Sequence, residues 1–332
     1  MNGLNSAQGG RLSAAAITMN IFTTDAFLET AGALFYPERK RAIEVCRLEG
    51  RRLRLLVLDG EEVVGRMPFY DFPQPMADAK GPVDREIFYL PRTVLETVPL
   101  TGSNPAQPQD LQPSPWVDWK RLPTWKDFET LWRTSAVTRT HDGARQRRRL
   151  EKELGPVRFV LDDPRPEVFD ACVQWKSSQY KATGLTDMFA DPRNVALFRR
   201  LRERGVLQVS SFSAGETLLA VHFGSFHDGR FGWWVPAYDA KFGKFSPGRL
   251  MLEELLAASY DRGDLEFDFL IGDEAYKFQY ATHNRIIGPV GTPPLKEVFL
   301  KKAKAQAKAL LEKSPRAMEL ARTLQKRIRA AM

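Results

Sequence analysis

The stretch that most constrains this 332-residue chain runs from Val206 to Val290. Three alternating apolar runs at 206–212, 217–226 and 230–236 are separated by Ala214-Gly215 and Asp228-Gly229, dipeptides suited to the positive φ of tight hairpin turns. A helical pattern over 247–260 follows, then a strand over 265–270, a helix over 274–282 and a strand over 284–290. An antiparallel meander that runs on into β-α-β-α-β needs one parallel crossover, which makes the unit an α+β sandwich. A strand at 157–161 and helices at 166–183 and 191–204 precede it.

The first half follows a different rhythm. A helix is expected at 25–34, then a meander of strands at 42–48, 53–59 and 63–69 with Glu49-Gly50 and Asp59-Gly60 as turns. The segment 101–115, rich in Pro, Gln and Ser and without periodicity, reads as a loop or linker. Residues 125–154 read as a connecting helix that carries the run from Arg145 to Arg149 and ends at Gly155-Pro156. The first sixteen residues are small and polar, as frayed termini often are.

This length fits two domains of ordinary size, of about 150 residues each. With 43% apolar and 27% charged residues the chain can bury real cores and is neither disordered nor fibrous. Cys46 and Cys172 lie far apart with no Cys/His cluster nearby, so buried thiols are expected and a metal site is not. No apolar run reaches the ~18 residues of a membrane helix, and 12–22 lacks the basic start of a signal peptide, so a cytoplasmic setting is expected. The net charge of +8 sits in the tail, because 295–332 holds eleven Lys/Arg against three Glu. That tail reads as two helices, 295–313 and 315–331, opened at the second by Ser314-Pro315. Its lysine-dense face fits a solvated surface, an anionic membrane surface or, last, nucleic acid.

The chemistry-bearing segment is 246–277. Ser246 suits an N-cap, Pro247 the first helical position, and Gly248 a close backbone approach, while Leu250, Met251, Leu255 and Ala258 form a buried face. Flanked by Lys241, Lys244 and Arg249, this helix start can hold phosphate on its unpaired amides, although an ordinary capped helix gives the same pattern. In the next strand Glu266 and Asp268 share one face near the carboxyl end, where open α/β sheets bind ligands. Asp273 suits an N-cap, and Lys277 in the first turns opposes the helix dipole. Asp268 is also suited to accepting backbone N–H bonds, and Lys277 to solvent. His222 lies within an apolar strand and suits a hydrogen-bonded core position as well as a base. Trp233 and Trp234 point to opposite faces, so at most one of them lines a cleft.

The string Y-D-x-x-F-x-x-F-S-P-G-R-L-x-L-E over 238–253, with F-D-F-L-x-G-D-E-x-Y-K over 267–277, resembles the CelD/BcsL-type acetyltransferases of the GNAT superfamily, named after cellulose-biosynthesis clusters. More distantly it is similar to the FemABX aminoacyl transferases, which place two GNAT-like domains in tandem. The resemblance is specific over 157–290 and one of layout over 17–150. It implies a tandem GNAT-like α+β fold with mixed, mostly antiparallel sheets flanked by helices. The layout is then a degenerate N-terminal domain at 17–145, an acyltransferase domain at 146–294 and a basic helical tail at 295–332.

The resemblance also implies acetyl-CoA, or another acyl-CoA, as donor, with no metal. Its pantetheine arm would add to the strand at 231–237 through Val235 and Ala237. Its diphosphate would meet Lys244, Ser246, Pro247, Gly248 and Arg249. The sequence departs from the family's Q/R-x-x-G-x-G/A loop, since Gly243 stands at the Q/R position and Ser246 at the first Gly. Lys277 resembles the lysine beside the reacting carbonyl in FemABX-type enzymes, where a cation stabilises developing negative charge. Asp268 or Glu266 would orient or deprotonate the acceptor, and Tyr276 would protonate the departing thiolate. Trp175, Tyr180, His222, Trp234 and Tyr238 would border the acceptor. The acceptor would be a hydroxyl or amine, as on a saccharide or cell-envelope precursor in polysaccharide biosynthesis. Two rival readings are a FemABX-type transfer from aminoacyl-tRNA, which the tail and the 145–149 run would suit, and a non-catalytic GNAT-fold partner protein.

Overall fold

In the computed structural model the described residues are 20–100, 111–134 and 143–299, together with 302 and 306. The helix expected from 295 begins there, 295–299 being helical, while most of the tail, the frayed start and most of the linker lie outside the described residues. The chain opens with helix α1 (Asp25–Phe35), capped by the Thr24 hydroxyl, which accepts the Phe27 N–H. Strands β1 (Arg41–Leu48) and β2 (Arg51–Leu58) form a hairpin, flanked by the short strands β3 (Glu62–Val63) and β4 (Arg85–Glu86) in a four-stranded sheet. The strand expected over 63–69 is only two residues long, because the chain turns away and Phe69 adopts φ 56°.

Next come β5 (Tyr89–Pro99), β6 (Gln112–Asp118), α2 (Trp125–Thr134), α3 (Gly143–Leu154), β7 (Val157–Val160), α4 (Pro166–Thr183) and α5 (Pro192–Glu203). The meander is β8 (Leu207–Ala214), β9 (Thr217–His227) and β10 (Arg230–Tyr238), followed by α6 (Pro247–Arg262), β11 (Glu266–Asp268), α7 (Ala275–Tyr280) and β12 (His283–Gly291). Proline opens α4 and α6, and glycines with φ 76° close both, Gly184 and Gly263 donating back to the last turn.

Strands β5 to β12 build one eight-stranded sheet in the order β5-β12-β6-β11-β10-β9-β8-β7. Its one parallel pair is β10 with β11, as the crossover through α6 requires. Strand β5 carries no expectation from the sequence, and β6 lies where a loop was expected. Two prolines in 112–118 argue against a strand, since each lacks a ladder donor. Here the carbonyls of Pro113 and Pro115 accept from Gly272 and Phe269 on the β11 side, so their missing N–H groups face the side on which β11 has already ended. On the other side Ser114 N–H is met by Asn284 Oδ1 at 3.0 Å.

Helices α1, α4 and α5 cover one face of this sheet, and α3, α6 and α7 the other. The first layer is a joint core of the two halves: Phe22, Phe27 and Tyr70 pack with Phe198, Phe223 and Trp234. Phe22 meets the Trp234 ring edge-on at 5.5 Å. Both cysteines are buried and free. No helix among the described residues is long and apolar enough to cross a membrane.

Because this core is shared, Phe27→Ala should lower stability by about 3–5 kcal/mol. Calorimetry should still show a single transition for the two halves. Separate melting of an N-terminal unit in the variant would contradict a joint core.

Candidate active site

Strands β10 and β11 are in register from Arg230↔Glu266 to Gly232↔Asp268. Beyond that point β11 ends while β10 continues to Tyr238, so the two strands part. A β-bulge between Trp233 and Val235 re-aims β10 where the parting begins. There the Trp234 N–H donates to His222 Nε2 at 3.1 Å. His222 is fully buried, stacked on Trp233 at 4.4 Å, and burial pushes its imidazole down to about 3. A neutral ring with a lone pair on Nε2 is what a bulge amide needs, which places His222 in the scaffold beneath the site.

The Asp239 N–H donates to Leu219 O at 3.0 Å, and strand alternation then turns the backbone of Val235 and Ala237 toward β9. The backbone groups on the open edge belong to Pro236 and Tyr238. Their carbonyls are met from α4 by Lys176 Nζ at 3.1 Å and Gln179 Nε2 at 3.3 Å. The strand-addition role expected of Val235 and Ala237 does not fit them, since both side chains are buried and both main chains face β9.

Glu266 and Asp268 do share a face, but it is closed. Asp268 is fully buried, with Arg285 Nη1 at 3.3 Å and Arg230 Nη1 at 3.6 Å. Arg230 Nε lies 2.9 Å from Glu266, which also pairs with Arg285. Asp268 Oδ1 in addition accepts the Leu270 N–H at 2.9 Å, fixing a turn in which Leu270 takes φ 57°. Two arginines that no sequence motif marks therefore convert the expected acidic strand end into a buried four-charge cluster. The pairing leaves Glu266 and Asp268 buried and committed to the two arginines.

Lys277 is 5% exposed and donates to Ile271 O at 3.0 Å, with Glu274 Oε2 also at 3.0 Å. Gly272 makes room for this pair, because a β-carbon there would lie 2.3 Å from Lys277 Nζ and 2.0 Å from Glu274 Oε2. A solvated Lys277 is thereby ruled out. Glu274, not Asp273, precedes the helix, with no side-chain cap. Tyr276 OH accepts from Trp233 Nε1 at 2.9 Å, and burial holds the phenol well above its usual range, so it keeps its proton. Trp233 and Trp234 do face opposite layers.

A further acid arrives from the first half. Asp71 is half-buried between the buried Tyr70 and Phe72, and its Oδ2 accepts the Ile271 N–H at 3.2 Å. Burial pushes this carboxyl up to about 6, against the pull of the Ile271 amide, Lys277 and Arg92. No motif marks Asp71 in the sequence, and only the fold brings it beside Ile271.

At the start of α6, Ser246 takes the left-handed conformation (φ 53°) and its side chain caps nothing, contrary to the N-cap expectation. Ser246 O accepts from the Arg249 and Leu250 amides, and the Gly248 amide is left without a backbone acceptor among the described residues. Arg249 Nε binds Glu253 at 3.1 Å, while its Nη2 is buried with no acceptor among the described residues. An open helix amide fits an anionic group such as phosphate, whereas the Arg249 guanidinium is enclosed beside Glu253 and the Tyr280 ring. Pro247 is buried, and Lys244 is paired with Glu153 at 2.8 Å. On the α4 side, Lys176 lies 5.4 Å from the Tyr180 ring, and burial lowers its ammonium while raising the Tyr180 phenol. Trp175, Tyr180 and Trp234 pack on the first core layer, and Tyr238 is exposed beside Gly248. Two surface depressions, of about 550 and about 530 Å³, lie beside Phe88 and beside Trp119, and neither borders this site.

Comparison with known proteins bears on this geometry. Residues 139–278 match the acetyltransferase (GNAT) domain family. Among solved structures, FemX superposes with TM-score 0.52 at 8% identity, covering 86% of this chain and 95% of its own. A conserved protein of unknown function from Bacteroides thetaiotaomicron VPI-5482 gives 0.37 at 11% identity over 55% of this chain and 63% of its own. A tandem GNAT protein from the clavulanic acid biosynthesis pathway gives 0.36 at 12% identity, covering 74% and 79%. Of these three, the FemX superposition supports the fold, and at that identity it speaks to the fold alone. No protein of curated function matches the sequence. The family match thus covers residues 139–278, on a mixed α+β scaffold.

The charge cluster supplies a test. Arg285→Ala leaves Glu266 and Asp268 to share Arg230 in a buried setting, and should destabilise the protein by about 3–5 kcal/mol. A denaturant midpoint equal to that of the wild type would contradict the pairing.

Proposed function

We propose that this chain, through its GNAT domain, is an acyl-CoA-dependent N- or O-acyltransferase that works at the parting of β10 and β11, with acetyl as the acyl group. The observation that carries the reading is the convergence of Lys277, Tyr276 and the open edge of β10 within a segment that matches the acetyltransferase domain. The donor supplies an activated thioester carbonyl. The Gly248 amide is the group suited to its diphosphate. Lys277 has two acceptors in place and one N–H left for a carbonyl oxygen as that oxygen gains charge. Tyr276, protonated and oriented by Trp233, is suited to returning a proton to the departing thiolate. An acceptor on a saccharide or cell-envelope precursor rests on the likeness to CelD/BcsL-type proteins alone.

A second reading, aminoacyl transfer from tRNA, takes its support from the whole-chain superposition on FemX. Against it, Arg147 and Arg149 of the basic run are already engaged by Glu254, Glu151 and Glu153. Activity abolished by RNase would favour this second reading.

Acetyl-CoA at a hundred times its dissociation constant should stabilise the native state by about 2.7 kcal/mol, seen as a thermal shift of a few degrees. Lys277→Ala should retain that shift and lose about 10²–10³ in kcat. No shift with acetyl-CoA, longer acyl-CoAs or free coenzyme A would reject the donor. An undiminished kcat in the variant would reject the role of Lys277.

A further inference from the structure

The acid expected on β11 is locked into ion pairs, which leaves the acceptor's proton without a partner among the residues read from sequence. We propose that Asp71, contributed by the N-terminal half, is the general base of the transfer reaction. The inference rests on the acyltransferase reading above and assigns the acceptor side of that same site.

Asp71 and Lys277 grip the two sides of one peptide residue. Asp71 Oδ2 takes the Ile271 N–H, and Lys277 Nζ donates to the Ile271 carbonyl. This fixes the acid and the cation relative to each other while they come from opposite ends of the chain. The second carboxylate oxygen, Oδ1, has no partner among the described residues. One oxygen anchored and one free is the arrangement a base needs to stay aimed and still accept a proton.

The segment that carries Asp71 is held tightly. Tyr70 and Phe72 are buried on either side, and Phe69, at φ 56°, packs edge-on against Phe198 at 4.8 Å. A bulky residue rarely adopts that conformation, and such strain recurs where a loop is forced to present a functional group. The charged groups that bear on Asp71 are Lys277 from α7, Arg92 from β5 and Asp268 from β11, with the Tyr180 phenol on α4. Burial raises the carboxyl to about 6, so it is ionised at neutral pH yet basic enough to take a proton.

The acceptor nitrogen or oxygen forms a bond to the thioester carbonyl carbon, and its proton passes to Asp71. The C–S bond breaks, the thiolate leaves with the electron pair, and Tyr276 protonates it. Products are the acylated acceptor and free coenzyme A, and solvent restores both proton inventories.

The test measures release of coenzyme A thiol from acetyl-CoA, with water alone and with glucosamine as probe acceptor, from pH 5 to pH 9. Wild type should gain activity as pH rises through about 6, because the base works only when deprotonated. Asp71→Asn, which keeps an acceptor for the Ile271 N–H, should lose that limb and be about 10²–10⁴-fold slower at pH 7.5, with Asp71→Glu partly restored. A variant within about threefold of wild type with the same limb overturns the proposal. Potentiometric difference titration between wild type and Asp71→Asn should show one group ionising near pH 6, and ionisation in the ordinary carboxylate range overturns the proposal without reference to turnover. The two levels fail differently: wild type that neither binds acetyl-CoA nor releases thiol sinks the acyltransferase reading and this proposal with it. Intact acetyl-CoA binding beside an unaltered pH profile in Asp71→Asn sinks the base alone.

Discussion

The buried cluster of Arg230 and Arg285 with Glu266 and Asp268 is the constraint on which the rest depends. Four charges out of water are tolerable only when each is matched, and the match fixes where three strands stand relative to one another, since the arginines come from β10 and β12 and the carboxylates from β11. Asp268 then turns the chain at Leu270, and that turn delivers Ile271, Gly272 and Lys277 to the place where β10 runs on without its neighbour. Position at the site is thus set by electrostatics one layer beneath it.

The second-half elements were legible because their signals are local. Turn dipeptides, Pro at helix starts and Gly at helix ends each act within a few residues, and the expected boundaries of α4 match the observed Pro166–Thr183. What the sequence hid depends on distant partners. β6 looks like a linker because of Pro113 and Pro115, and it becomes a central strand only because β11 stops short on the side where their donors are missing. β5, with Pro at both 91 and 99, has no clean alternation and takes its identity from β12.

The site shows the same division. Lys277 and Tyr276 were found from a motif, and their contacts give them definite surroundings. Glu266 and Asp268 were found from alternation, which tells which face a residue occupies and not whether that face is open. Asp71 lies 200 residues from Ile271 in the chain, and no spacing rule reaches that far. The match to the acetyltransferase domain family begins at residue 139 and so excludes Asp71, Arg92 and β6, although all three lie at or beneath the site.

The placement of β12 governs the order of assembly. It slots between β5 and β6, both made far earlier, and pairs along the length of each. On a ribosome those two strands emerge without the neighbour that separates them and must wait, with ladder edges unsatisfied, while everything from α2 to α7 is made. Such delayed, long-range closure is slow and leaves β5 and β6 open to wrong pairing until β12 is free.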